Sequence, residues 1–115
     1  MAGDITTIAR PYAEAVFARA QEAAQIDDWG DALSVLSAIA SDAVMAEQIG
    51  NPNVPRERLC AAILEIAGDE LTAEAKSLVR LLATNDRLSI VPEISSLFDD
   101  LKTRHQGVRQ VQVLS

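Results

Sequence analysis

The chain has 115 residues, enough for one domain with one modest core. Its hydrophobic fraction is 49% but its aromatic fraction only 3%, so alanine and branched aliphatic residues carry the apolar content. Ten basic residues against seventeen acidic ones give a net charge of −7, which argues against nucleic-acid backbones and anionic lipid surfaces as partners. The basic residues are scattered, and the nearest thing to a cluster, Arg56 and Arg58, is interrupted by Glu57. A single cysteine, Cys60, excludes an internal disulfide and a cysteine-built zinc site, and fits a reducing compartment. No apolar run approaches the ~20 residues that span a bilayer. Met1 to Asp4 lacks the basic region and apolar core of a secretory signal. Alanine and leucine are strong helix formers, and small side chains let helices approach closely. The expected fold is all-α, a six-helix bundle.

Asp4 to Thr7 supplies capping residues for a first helix over Ile8 to Ala24. Pro11 either sits in its first turn or removes one hydrogen bond inside a longer helix. On a helical wheel Ile8, Ala9, Tyr12, Ala13, Ala15, Val16, Phe17, Ala20, Ala23 and Ala24 cover roughly 200°, whereas one-sided packing needs about 100°. Either this helix is central, touched on two sides, or one edge of its apolar arc is meant for another chain.

Asp27 or Asp28 caps a second helix, Trp29 to Ala40, with Trp29, Ala32, Leu33, Leu36, Ile39 and Ala40 inward. Ser41-Asp42 caps a third, Ala43 to Ile49, which Gly50 is placed to stop in a left-handed conformation. After the turn Asn51 to Pro55, a fourth helix over Arg56 to Ala67 is expected to bury Leu59, Cys60, Ile63, Leu64 and Ile66 before Gly68 ends it. Thr72 caps a fifth helix, Ala73 to Asn85, with Leu71 as staple and Glu74 favourable to the dipole. Its core stripe is Leu71, Ala75, Leu78, Val79, Leu82 and Ala83. Leu81 stands off that stripe between Glu74, Ser77, Asn85 and Leu78. A leucine there is an ordinary exposed leucine or the lip of a groove. A sixth helix, about Ser89 to Arg104, carries Ile90, Val91, Ile94, Leu97, Phe98 and Leu101, with Pro92 near its start. Beyond Gly107 the period changes to two, and Val108 with Gln110 to Val113 reads as a strand. The expected division is a bundle over 1–105 and a tail over 106–115 that leads to an absent C-terminal region.

No Gly-rich phosphate loop, nucleophile elbow or zinc helix motif occurs. His105 stands alone near a helix end, where it favours the dipole. Cys60 falls on a core stripe and reads as a small hydrophobe. Caps and solvated faces account for Asp27-Asp28 and Asp99-Asp100. Trp29 reads as a core or bundle-edge anchor. The residues offer no catalytic constellation, no metal site and no cofactor site.

Ala9-Arg10-Pro11-Tyr12-Ala13-Glu14-Ala15 with Phe17, Trp29 at the head of the second helix, and Leu81-Leu82-Ala83-Thr84-Asn85-Asp86-Arg87-Leu88 together carry a family resemblance. Phe98 and Leu101 add to it. The chain resembles the delta subunit of rotary ATP synthases, the oligomycin-sensitivity-conferring protein of mitochondria, over about residues 4–115. The resemblance implies an N-terminal six-helix bundle, with no catalytic activity of its own, in the peripheral stalk. It implies a grip on the N-terminal amphipathic helix of an alpha subunit, in a groove between the first and fifth helices. It also implies a b-type stalk partner for the C-terminal region, and a place at the cytoplasmic face of the bacterial inner membrane. Carried onto this chain, Tyr12 and Ala15 line one wall and Leu78 and Leu81 the other. The wheels add Ile8 and Arg19 on the first helix, and Ser77 and Asn85 on the fifth. Two rivals remain: a helical nucleic-acid-binding domain, which needs a basic face, and a self-associating bundle.

Overall fold

The computed structural model describes residues 2–106. Among them the fold is all-α: α1 (Ala2–Glu22), α2 (Ile26–Ser41), α3 (Ala43–Ile49), α4 (Arg56–Ala67), α5 (Ala73–Thr84) and α6 (Val91–Gln106). Short 3₁₀ turns at Gly68–Glu70 and Leu88–Ile90 join α4 to α5 and α5 to α6. The strand expected over Val108 and Gln110 to Val113 lies outside the described residues.

Local chemistry explains most of the boundaries. The Asp42 carboxylate accepts from the amides of Val44 and Met45 and starts α3. The Thr72 hydroxyl accepts from the Ala75 amide and starts α5. Gly68 ends α4 at φ +58°, a conformation that costs glycine little. Arg56 ties down the loop before its own helix. Its guanidinium donates to the carbonyls of Ile49, Asn51 and Val54, and pairs with Asp86 at 2.9 Å.

Several boundaries differ from expectation. Asp4 to Thr7 do not precede α1 but lie inside it, because the helix begins at Ala2. Pro11 is therefore interior, the second of its two possible placements. Asp27 and Asp28 do not cap α2. Gln25 holds the cap position without a side-chain bond, and both aspartates sit in the first turn, where their charge favours the dipole. Gly50 is not left-handed; at φ −79° it continues the right-handed turn, donating to the carbonyl of Ala46. Ile66 is 61% exposed instead of buried, because α4 presents one narrow stripe, Leu59, Ile63 and Ala67, to the core. Cys60 and Leu64 flank that stripe and are half-buried.

Helices α1 and α5 close without glycine. The Gln25 amide donates to the Ala20 carbonyl at 2.8 Å and the Ala24 amide to Gln21 at 3.2 Å, with Ala24 at φ +57°. That is a Schellman ending. Asp86 at φ +56° closes α5 the same way, with Arg87 donating to Leu82 at 2.7 Å. A left-handed alanine costs roughly 1–2 kcal/mol over glycine. Ala24→Gly is therefore expected to stabilise the fold by about 1 kcal/mol, after glycine's greater unfolded-state freedom is discounted. A denaturation midpoint that does not rise would contradict this.

Helix α6 is the long axis of the core, packed along both α1 and α2. Phe98 stands edge-on to Phe17 at 5.5 Å between ring centroids. Alanines at 9, 13 and 20 give α1 a flat face for that approach, and all three are fully buried. Helix α4 packs on α5 and α2, while α3 turns off from the end of α2 at 83°. Lys102 pairs with Asp27 at 3.0 Å, tying the end of α6 to the start of α2. The broad apolar arc of α1 is thus only partly used. Ala9, Ala13, Val16, Phe17 and Ala20 are buried, whereas Tyr12 is half-buried and Ala15 exposed.

Candidate functional site

Helices α1 and α5 run antiparallel without packing closely on each other, and long side chains bridge them at two levels. Near one end the Asn85 amide donates to the Tyr12 hydroxyl at 3.2 Å. Near the other the Arg19 guanidinium meets Glu74 Oε2 at 2.6 Å through both Nε and Nη2. Arg19 also reaches Glu22 at 3.3 Å. Bonding to Glu74 first, and then to Glu22, raises the Arg19 pKa above its ordinary value.

A cleft of about 430 Å³ opens between the two helices. Its walls are Ala15 and Arg19 on α1, and Glu74, Ser77, Leu78 and Leu81 on α5. Val16 and Trp29 complete the lining. Val16, Trp29 and Leu78 are buried core residues, so they form an apolar floor. Leu81, 48% exposed, stands at the lip. Small residues at Ala15 and Ser77 leave the depth. An apolar floor with an exposed leucine above it is what an amphipathic helix of a partner can cover.

The structure therefore brings Ala15, Arg19, Ser77, Leu78 and Leu81 together around the cleft, while Tyr12 and Asn85 bond to each other across the same two helices and are not part of its lining. Ile8 is half-buried against the core one turn beyond Tyr12 and does not line the cleft. Leu78 belongs to core and cleft at once. Val16 and Trp29 were not anticipated in the cleft. Both fall on core stripes of their own helices, and only the relative placement of three helices reveals that the same side chains floor it.

Two other clefts are of similar size. One, about 430 Å³, lies between α4 and α5 around Arg56, Cys60, Leu64 and Arg80. The other, about 440 Å³, lies among α2, α3 and α4, where Val44 and Ile66 are exposed beside Ile39 and Met45. Burial pushes the Cys60 thiol up, with Arg80 opposing weakly. The folded thiol keeps its proton longer than the unfolded one, so stability falls as pH climbs past the unfolded thiol's pKa. Alkylation of Cys60 at about pH 8 is expected to run slower in the folded chain than in guanidinium, the gap narrowing as pH rises. Equal rates would contradict that. No group of three metal-ligating side chains occurs among the described residues. His105 is engaged elsewhere, edge-on to Phe17 at 5.8 Å and 3.2 Å from Gln21.

Comparison with known proteins gives the cleft its context. The family model for the ATP synthase delta (OSCP) subunit matches residues 8–115. The chain belongs to the ATP synthase delta (OSCP) subunit family. It is 42% identical over 109 residues to the ATP synthase subunit delta of Nitrosospira multiformis, covering 95% of this chain and 61% of that relative. It is 44% identical over 111 residues to that of Alkalilimnicola ehrlichii, covering 96% and 62%. With that of Aromatoleum aromaticum the identity is 41% over 109 residues, covering 95% and 61%. The chain thus spans about three-fifths of the length of these delta-subunit relatives.

Proposed function

We propose that this chain is the head-gripping bundle of a peripheral-stalk subunit of ATP synthase. Its α1–α5 cleft receives the N-terminal amphipathic helix of an alpha subunit and holds the catalytic head against rotation. The role is structural, without catalysis or cofactor. The observation that carries it is the pairing of an exposed Leu81 with an apolar floor of Val16, Trp29 and Leu78 between two bridged helices. Family membership supports it. Residues 1–105 form the bundle on this reading, and residues 106–115 lead out of it. Contact with a b-type stalk subunit belongs to the part of the relatives' length that this chain does not span. The complex sits at the cytoplasmic face of a bacterial inner membrane. The bundle stays peripheral: no single helix among the described residues is long and apolar enough to cross a membrane.

Energetics favour apolar burial over charge as the source of grip. A typical specific interface buries ~800 Å² per partner, at about 25 cal/mol per Å² of apolar area before ordering costs are subtracted. The ion pairs at the rim are exposed and screened, so they orient more than they bind. Sedimentation of the chain, alone and with a synthetic alpha-subunit N-terminal peptide, tests the proposal. A monomer that takes up one peptide supports it. A dimer that excludes the peptide overturns it in favour of self-association, and salt-dependent uptake of RNA overturns it in favour of nucleic-acid binding.

A further inference from the structure

Val44 and Ile66 are the most exposed large hydrophobic side chains among the described residues, at 62% and 61%. They belong to different helices, α3 and α4, yet line the same cleft of about 440 Å³. Ala38 and Ile39 of α2 and Met45 of α3 supply the rest of its apolar wall. A single exposed aliphatic residue is ordinary, but two that share one apolar cleft form a patch that the fold itself leaves uncovered. The corner between α2 and α3 is set by Asp42, whose Oδ2 accepts from the Val44 and Met45 amides. The residue that turns the chain therefore also fixes where α3 presents Val44.

Charge around this cleft is of one sign. From Ile26 to Ile49 the chain carries Asp27, Asp28, Asp31, Asp42 and Glu47, and no lysine or arginine. Asp27 pairs with Lys102 at the start of α2, away from the cleft. Asp42 is in the cleft lining, and Glu47 follows Val44 by three residues, on the same face of α3. Both capping bonds fall on Oδ2 of Asp42, so its Oδ1 can still accept. On α4, Arg56 is held by three carbonyls and Asp86. Arg58 lies eight residues before Ile66, roughly 12 Å along the helix axis.

An apolar cleft edged by carboxylates selects its occupant. A second copy meeting it face to face would set Asp42 and Glu47 against their own counterparts. An anionic lipid surface or an acidic helix is repelled in the same way. We propose that the cleft among α2, α3 and α4 docks a basic amphipathic helix of a protein partner. Aliphatic side chains of that helix enter beside Val44 and Ile66, and its flanking lysines or arginines meet Asp42 and Glu47. This face is separate from the α1–α5 cleft, and its occupant is a different helix. A patch built on two exposed side chains suits a small, transient contact.

The test titrates the full chain with a synthetic helical peptide that has leucines at i, i+3, i+4 and i+7 and lysines on both flanks. Amide shifts report the site. The expected result is saturable shifts at Ile39, Val44, Gln48 and Ile66, weakened by added salt. Val44→Gln with Ile66→Gln is expected to lower the affinity at least about tenfold, with circular dichroism unchanged because both side chains are exposed. Asp42→Asn with Glu47→Gln keeps a capping side chain and removes the charge, so binding should fall several-fold and lose its salt dependence. Leu81→Asp should leave this site unaffected. The assignment is overturned if the natural chain does not bind the peptide, if the shifts centre on another face, or if either double variant binds as well as the natural chain. Equal binding of a peptide with glutamates in place of the lysines overturns it too. Shifts at Val44 and Ile66 that depend on protein concentration, without peptide, would give the face to a second copy instead.

Discussion

Phe98→Ala is expected to destabilise the bundle by about 3–5 kcal/mol, the range for deleting a buried phenylalanine ring. The ring is 1% exposed at the centre of α6. It meets Phe17 of α1 edge-on at 5.5 Å, and a Cβ at Gly30 of α2 would sit 3.6 Å from its Cε1. One side chain therefore joins the three helices that make up most of the core. Natural domains are stable by about 5–15 kcal/mol, so the loss takes a large share of the total. Guanidinium unfolding followed by circular dichroism measures it, with the midpoint falling and the slope unchanged. A loss under about 1 kcal/mol would mean that α1, α2 and α6 do not meet at Phe98.

Leu81→Asp separates binding from folding. Leu81 is half exposed and makes no part of the buried core, so the fold is expected to survive. The cost to stability is about 1 kcal/mol, the sum of aspartate's poorer helix propensity and its charge near the negative end of α5. Binding of an alpha-subunit peptide loses far more. Removing the exposed half of a leucine contact forfeits about 1 kcal/mol, and placing a carboxylate against the apolar helix adds a larger desolvation cost, about 2 kcal/mol or more. Together these predict a fall in affinity on the order of a hundredfold or more. Calorimetric titration beside a circular dichroism spectrum checks both halves. Unimpaired binding would remove Leu81 from the interface, and lost helicity would place it in the core.

The core of this fold is legible in its sequence because helical periodicity reports burial directly. The stripe Leu71, Ala75, Leu78, Val79, Leu82 and Ala83 is buried throughout, and Thr72 caps the helix as its residue type suggests. Legibility fails where a residue's role depends on something other than its own helix. Ala24 and Asp86 hold left-handed conformations that carry no glycine signal, so α1 ends at Glu22 and α5 at Thr84, a residue or two before the periodicity predicts. Ile66 looks like a core residue until the single-stripe packing of α4 is known. The same division applies to the cleft. Its lip was visible as Leu81 among polar neighbours, and its α1 wall as the spare edge of a broad arc. Its floor was hidden, because Val16 and Trp29 come from different helices and meet there only in three dimensions.

The open cleft between α1 and α5 is tested most directly by recording amide shifts of the chain while an alpha-subunit N-terminal peptide is titrated in. The expected result is a saturable set of shifts centred on Ala15, Val16, Arg19, Trp29, Glu74, Ser77, Leu78 and Leu81, with α3 and α4 silent. Shifts centred instead on Val44 and Ile66, or no saturable shifts at all, would contradict it.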